Sequence, residues 1–118
     1  MQQQIAEDKL VQFQAGLEKI KQRFLASLPG LVAEFDELMD ALYETEDPAQ
    51  VVQAISQRAH KLHGQAGSFG FGDIGAMAAK VEHTADRVMA GPQPIHTEEV
   101  EVHLIALLDL IDASLSAG

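Results

Sequence analysis

Cysteine is absent from this chain, and so is any long apolar run. Without thiols there is no disulfide staple and no thiolate chemistry, so the fold must be held by packing. No stretch approaches the roughly 20 apolar residues that a membrane span needs, and the opening residues lack the basic segment and apolar run of a secretory leader. A soluble, cytoplasmic chain is the expectation. Positive charge is scarce as well: eight Lys and Arg stand against 18 Asp and Glu, a formal net charge of -10. Such a surface repels nucleic acid and anionic lipid, and neither is an expected partner. The signatures of catalysis are missing too. There is no Gly-rich nucleotide loop with its lysine, no Ser-His-Asp grouping at a recognisable spacing, and no carboxylate pair set apart from the general acidic surface. An enzyme is not expected.

What the chain does have is helical periodicity. Its 118 residues, 47% of them hydrophobic, suffice for one compact core. A single domain over residues 1–118, with its core at about 8–116, follows. Leu10, Phe13, Leu17, Ile20, Phe24, Leu28, Leu31, Phe35, Leu38 and Leu42 alternate steps of three and four, which predicts one buried stripe on a long first helix. Pro29 and Gly30 interrupt it, so a kink or two abutting helices are expected at 27–30. A second stripe of Val52, Ile55, Ala59, Leu62, Ala66 and Phe69 predicts a helix from about Pro48 to Gly67, with Asp47 as its N-cap. A Gly-rich turn leads to Asp73, the expected cap of a third helix carrying Ile74, Met77, Ala78, Val81, Ala85 and Val88. Gly91-Pro92-Gln93-Pro94 ends it. Thr97 is the expected cap of a fourth, with Val100, Leu104, Leu107, Leu108, Ile111 and Leu115 as its apolar face. The predicted fold is all-α: an antiparallel up-and-down four-helix bundle with an N-terminal helical extension, and ends that fray over the first few residues and 116–118.

One position stands off the stripes. His60 follows Ala59 by one residue, about 100° round the helix, and shares its face with Gln53, Ser56, His63, Gly64 and Gly67. It should therefore reach solvent. Gly64 lies four residues on, directly above the imidazole, and a helical glycine costs about 1 kcal/mol relative to Ala, which asks for a packing or docking reason. An exposed imidazole beside bare backbone is what a nucleophile needs if another protein is to dock on it.

The segment around His60, Leu62, Gly64 and Gly70 resembles the signature of histidine-containing phosphotransfer (HPt) domains, in which a histidine is followed by H-x-L-K-G spacing and a further glycine ten residues on. Ala59, Ala66, Gly67 and the pair Leu28-Pro29 are similar to that family as well. The resemblance covers most of the chain. It implies a four-helix phosphocarrier in two-component signalling, with His60 as phosphoacceptor, Gly64 and Gly67 as the docking surface, and no ATP-dependent kinase activity of its own. Where the family usually carries Lys, this chain has His63, a donor to phosphoryl oxygens that is cationic only when protonated. The implied partners are response-regulator receiver domains and a hybrid sensor histidine kinase. No cofactor is implied beyond the Mg²⁺ that comes with the receiver. A monomer is expected.

Blander readings exist. The spacing His60-x-x-His63, with His83 and Glu82 on the next helix, could hold a metal, although zinc sites normally collect four ligands and Cys is lacking. An acidic helical adaptor with incidental histidines is the other alternative. Lys61 and Arg58 could bring charge near His60 but point elsewhere round the helix. Lys80, Glu82, His83 and Arg87 read as solvent-facing, Phe69 and Phe71 as core plugs, and His96 and His103 as isolated.

Overall fold

The computed structural model describes residues 2–117. Four helices account for nearly all of them: α1 (Gln2–Glu44), α2 (Pro48–Ser68), α3 (Gly72–Ala90) and α4 (Glu98–Ala117). Among the described residues there is no strand. Connections of a few residues force each helix to return alongside the one before, and α1 packs on α2 and α4 while α3 packs on the same two from the other side. The core is built from Phe24, Leu28 and Phe35 of α1, Val52, Ile55 and Leu62 of α2, Ile74 and Val81 of α3, and Leu104, Leu107 and Ile111 of α4. The expected bundle is what forms. The ends expected to fray are helical from Gln2 and through Ser116 and Ala117, continuous with α1 and α4; residues 1 and 118 lie outside the described residues.

The first stripe is only half used. From Phe24 inward it is buried or half-buried, but Leu10, Phe13, Leu17 and Ile20 are exposed rather than part of the core. The reason is length. A helix of 43 residues reaches about 65 Å at 1.5 Å per residue, whereas the 19 to 21 residues of the other three reach about 30 Å and cannot cover it. The molecule accordingly measures 68 × 26 × 18 Å, with the outer part of α1 projecting past the bundle.

Of the two arrangements expected at 27–30, the abutting pair does not occur: α1 is one helix that runs through Pro29. Pro29 and Gly30 both face solvent, so the Leu25 carbonyl that loses its amide partner can be hydrated. Ser27 Oγ also donates to the Phe24 carbonyl at 2.6 Å, satisfying a neighbouring acceptor in the same turn.

Two caps differ from expectation. Asp47 stands at the start of α2 but its side chain makes no capping bond; its amide instead donates to Thr45 Oγ1 at 3.0 Å. Helix α3 begins at Gly72 with Phe71 in the cap position, which moves Asp73 into the first turn, where its charge suits the helix dipole. Thr97 does precede α4, but its hydroxyl bonds to Glu101 Oε2 at 3.1 Å. The turn between α2 and α3 depends on Gly70, whose φ of 85° lies in the left-handed region, and the amides of Phe69 and Phe71 both return to the Ala66 carbonyl. Phe69 and Phe71 then lean on Phe24 with ring centroids 5.5 and 5.3 Å away, partly buried at the end of the core.

Polar pairs link the helix flanks. Arg87 donates to Glu99 across α3 and α4 and holds that carboxyl below its usual range. Tyr43 donates to Glu101 across α1 and α4, which raises the phenol's pKa because ionisation would put two negative charges together. His103 is not isolated: its Nδ1 lies 3.0 Å from Thr84 Oγ1.

Candidate functional site

The flank shared by α2 and α3 carries the site. Their register shows in three places. Ser56 Oγ donates to Asp86 Oδ1 at 2.6 Å; four residues further along α2 and four back along α3, His60 Nδ1 comes within 2.5 Å of Glu82 Oε2. Seven more in the same sense bring Gly67 to Gly75, where a Cβ on Gly75 would lie 3.4 Å from the Gly67 amide nitrogen and 3.6 Å from the His63 carbonyl oxygen. Gly75 thus lets α3 approach the backbone of α2 closely, and the two helices step past each other in fixed alignment. The alignment delivers Glu82 to His60.

His60 is the exposed member of that pair, with 75% of its side chain open to solvent against 22% for Glu82. A carboxylate can only accept, and two lone pairs at 2.5 Å would repel, so the proton of the neutral ring is assigned to Nδ1. Nε2 is left with its lone pair and faces water. The sequence gives Glu82 at most a supporting role as a solvent-facing residue; among the described residues, the structure makes it the one side chain in polar contact with His60. Neither residue is drawn into the core, since the adjacent Ala59 and Leu62 are the buried positions of α2.

Around the imidazole the backbone is bare. A Cβ built on Gly64 or Gly67 would meet nothing within 4 Å, so these glycines fill no packing need inside the chain and leave free space beside His60. His63 is exposed on the same helix face. Arg58 and Lys61, by contrast, belong to the opposite flank. Arg58 pairs with Glu34 of α1 at 2.8 Å, and Lys61 lines the open groove between α1 and α2 with Gly30 and Leu62. Among the described residues no three His, Asp or Glu side chains gather closely enough to hold a metal ion. His60 and Glu82 therefore form a pair, without the third ligand that a metal reading needs.

An exposed helical histidine, oriented from the adjacent helix and bordered by side-chain-free backbone, is the arrangement expected of a phosphotransfer surface. The Hpt domain family model matches residues 19–117. The chain belongs to the Hpt domain family. No curated protein and no solved structure matches it. Hpt domains are phosphocarriers without kinase activity that serve histidine phosphotransfer in phosphorelay signalling and interact with receiver domains and kinases. Within this Hpt domain the match takes in all of α2, α3 and the described part of α4, but it begins only at Lys19, leaving the outer part of α1 outside. No helix among the described residues is long and apolar enough to cross a membrane.

Proposed function

We propose that His60 is the phosphoacceptor of this Hpt domain, taking a phosphoryl group from the aspartyl phosphate of one receiver domain, that of a hybrid sensor histidine kinase, and passing it to the receiver of a response regulator in the cytoplasm. One observation carries the reading: an imidazole three-quarters exposed, with its Nδ1 held by Glu82 and Gly64 open beside it.

The chemistry follows from that contact. The Nε2 lone pair attacks phosphorus opposite the acyl oxygen, in line with the P–O bond; an N–P bond forms, that P–O bond breaks, and the aspartyl carboxylate leaves with its electron pair. The ring, already protonated at Nδ1, becomes cationic as the N–P bond forms, and the Glu82 carboxylate offsets that charge. Transfer onward reverses the step, with the neutral imidazole as leaving group. Mg²⁺ comes with the receiver and neutralises phosphoryl oxygens there. His63, on the same face, donates to the phosphoryl group when protonated, and Gly64 and Gly67 admit the receiver's loop.

The test is transfer from a phosphorylated receiver domain in the presence of Mg²⁺. Wild type should acquire acid-labile, base-stable phosphate, and His60→Gln should acquire none while melting as wild type, because His60 lies off the core. Equal phosphate on the His60→Gln variant would move the acceptor elsewhere. Metal-dependent melting with no transfer at all would instead favour an acidic metal-binding adaptor.

A further inference from the structure

The outer part of α1 carries apolar side chains that the described residues leave about half exposed or more, Leu17 at the edge of a groove beside Phe69. Leu10, Phe13, Leu17 and Ile20 are 55, 64, 45 and 42% exposed, and they lead into Phe24, which is buried against Phe69 and Phe71. Their steps of three and four keep one narrow line along the helix, the spacing of a two-helix seam. Most helical stability in proteins comes from tertiary packing, of which this segment has little, and an exposed seam adds to the cost. Most of the segment precedes Lys19, so the Hpt fold itself does not require it.

We propose that this segment pairs with the same segment of a second copy of the chain, running antiparallel, so that the two bundles lie at opposite ends of the dimer. Three features on this segment favour that occupant and that direction. First, the seam is self-complementary: turned end for end, Leu10 falls opposite Ile20 and Phe13 opposite Leu17, and the pairing stops near Arg23 because at Phe24 the seam passes beneath α2. Gly16 flanks the middle, where a Cβ would meet nothing, so the helices can approach closely.

Second, charge is distributed end to end. Glu7 and Asp8 lie at the outer end and Lys19, Lys21 and Arg23 at the inner end, with Lys9 and Glu18 the exceptions. Antiparallel pairing in this register places Glu7 beside Lys21 of the other copy, offset by Lys9 falling near Arg23; parallel pairing would set every charge level with its like. The first 23 residues hold four of the eight basic side chains but three of the 18 acidic ones, so the rest of the chain is strongly negative. Side-by-side bundles would repel, and opposite ends separate them by more than a Debye length of about 8 Å.

Third, the area is adequate. Four half-exposed side chains of this size present on the order of 100 Å² each, about 800 Å² over two copies, and the stems of flanking Gln and Lys residues bring the total toward the roughly 1,200 Å² of a specific, reversible interface. The dimer departs from the monomer expected from the sequence.

Sedimentation equilibrium of the full chain tests this. Wild type should show a concentration-dependent mass rising from 12.8 kDa toward twice that value in the micromolar range. The double variant Phe13→Glu, Leu17→Glu should stay at the mass of one chain, with the bundle's melting temperature unchanged because both positions are exposed. Glu7→Lys alone and Lys21→Glu alone should each weaken the dimer several-fold, and the two together should restore it. Wild type that stays monomeric at high concentration overturns the proposal, as does a dimer indifferent to the Phe13 and Leu17 changes. Charge variants without effect singly would overturn the antiparallel direction. A monomeric wild type whose Phe13→Glu, Leu17→Glu variant loses transfer from a receiver would assign the stripe to that receiver and sink the proposal equally.

Discussion

In the proposed transfer, Glu82 is the residue on which the chemistry of His60 turns, and its effect can be isolated. Replacing its carboxylate by an amide keeps shape and the ability to accept from Nδ1, but removes the charge that offsets the developing imidazolium. With hydrogen bonds to charged groups contributing about 1.5–3 kcal/mol, Glu82→Gln should slow phosphotransfer roughly ten- to a hundredfold. A rate equal to wild type in rapid-quench transfer assays would remove Glu82 from the mechanism. Gly64→Leu probes the other half of the site. Since a side chain there meets nothing within 4 Å, the fold should be at least as stable as wild type in urea, while transfer from a receiver falls because the new side chain holds the reacting atoms apart. Transfer at the wild-type rate would dismiss the docking role. His60 and Gly64 were legible in the sequence because they share one helix face, and spacing on one helix is written directly in residue numbers. Glu82 was not, because its meeting with His60 is set by how far α3 slides along α2. The one local clue is Gly75, a glycine inside α3 opposite Gly67, whose meaning depends on the same alignment.

At the scale of the elements, the two glycines inside helices that face different surroundings should respond in opposite directions. Gly75 sits where α3 touches the α2 backbone, so Gly75→Val would push the helices apart and cost about 1–3 kcal/mol in urea unfolding. The same change should slow transfer beyond its effect on stability, because it displaces Glu82 from His60. Gly30 faces open space on α1, and Gly30→Ala should stabilise by about 0.5–1 kcal/mol. Two destabilised variants, or two neutral ones, would contradict this account of helix packing. The helix boundaries after α2 and α3 were readable because Gly70 and the Gly91-Pro92 pair act on the backbone of their own residues. The caps were less so: whether Asp47 or Asp73 bonds to a helix amide depends on a side-chain rotamer in competition with Thr45 and with Phe71, and composition carries no information about that contest. That α1 stays one helix at Pro29 rather than two abutting ones has a related reason, since solvent on one side of α1 satisfies the carbonyl that the proline strands.

The whole molecule behaves as two parts of unequal stability sharing one helix. The buried residues of α1 begin at Phe24, so amides of α1 well before it can open without disturbing the core, whereas those of α2 beside Ile55 and Leu62 open only when the bundle does. Periodicity could not reveal this division, because the spacing of Leu10, Phe13, Leu17 and Ile20 is the same as that of covered positions; what differs is the reach of the neighbouring helices. Hydrogen exchange followed at increasing protein concentration reads both parts at once. In dilute solution residues 7–20 should exchange with little protection while α2 exchanges at the rate set by global unfolding. As copies pair, protection of residues 7–20 should grow with concentration, because opening that segment then requires separating the dimer, and protection of α2 should change far less. In the Phe13→Glu, Leu17→Glu variant the segment should stay unprotected at every concentration. Strong protection of residues 7–20 in dilute wild type would mean that the segment is stabilised within a single chain, and the division of the molecule drawn here would be wrong.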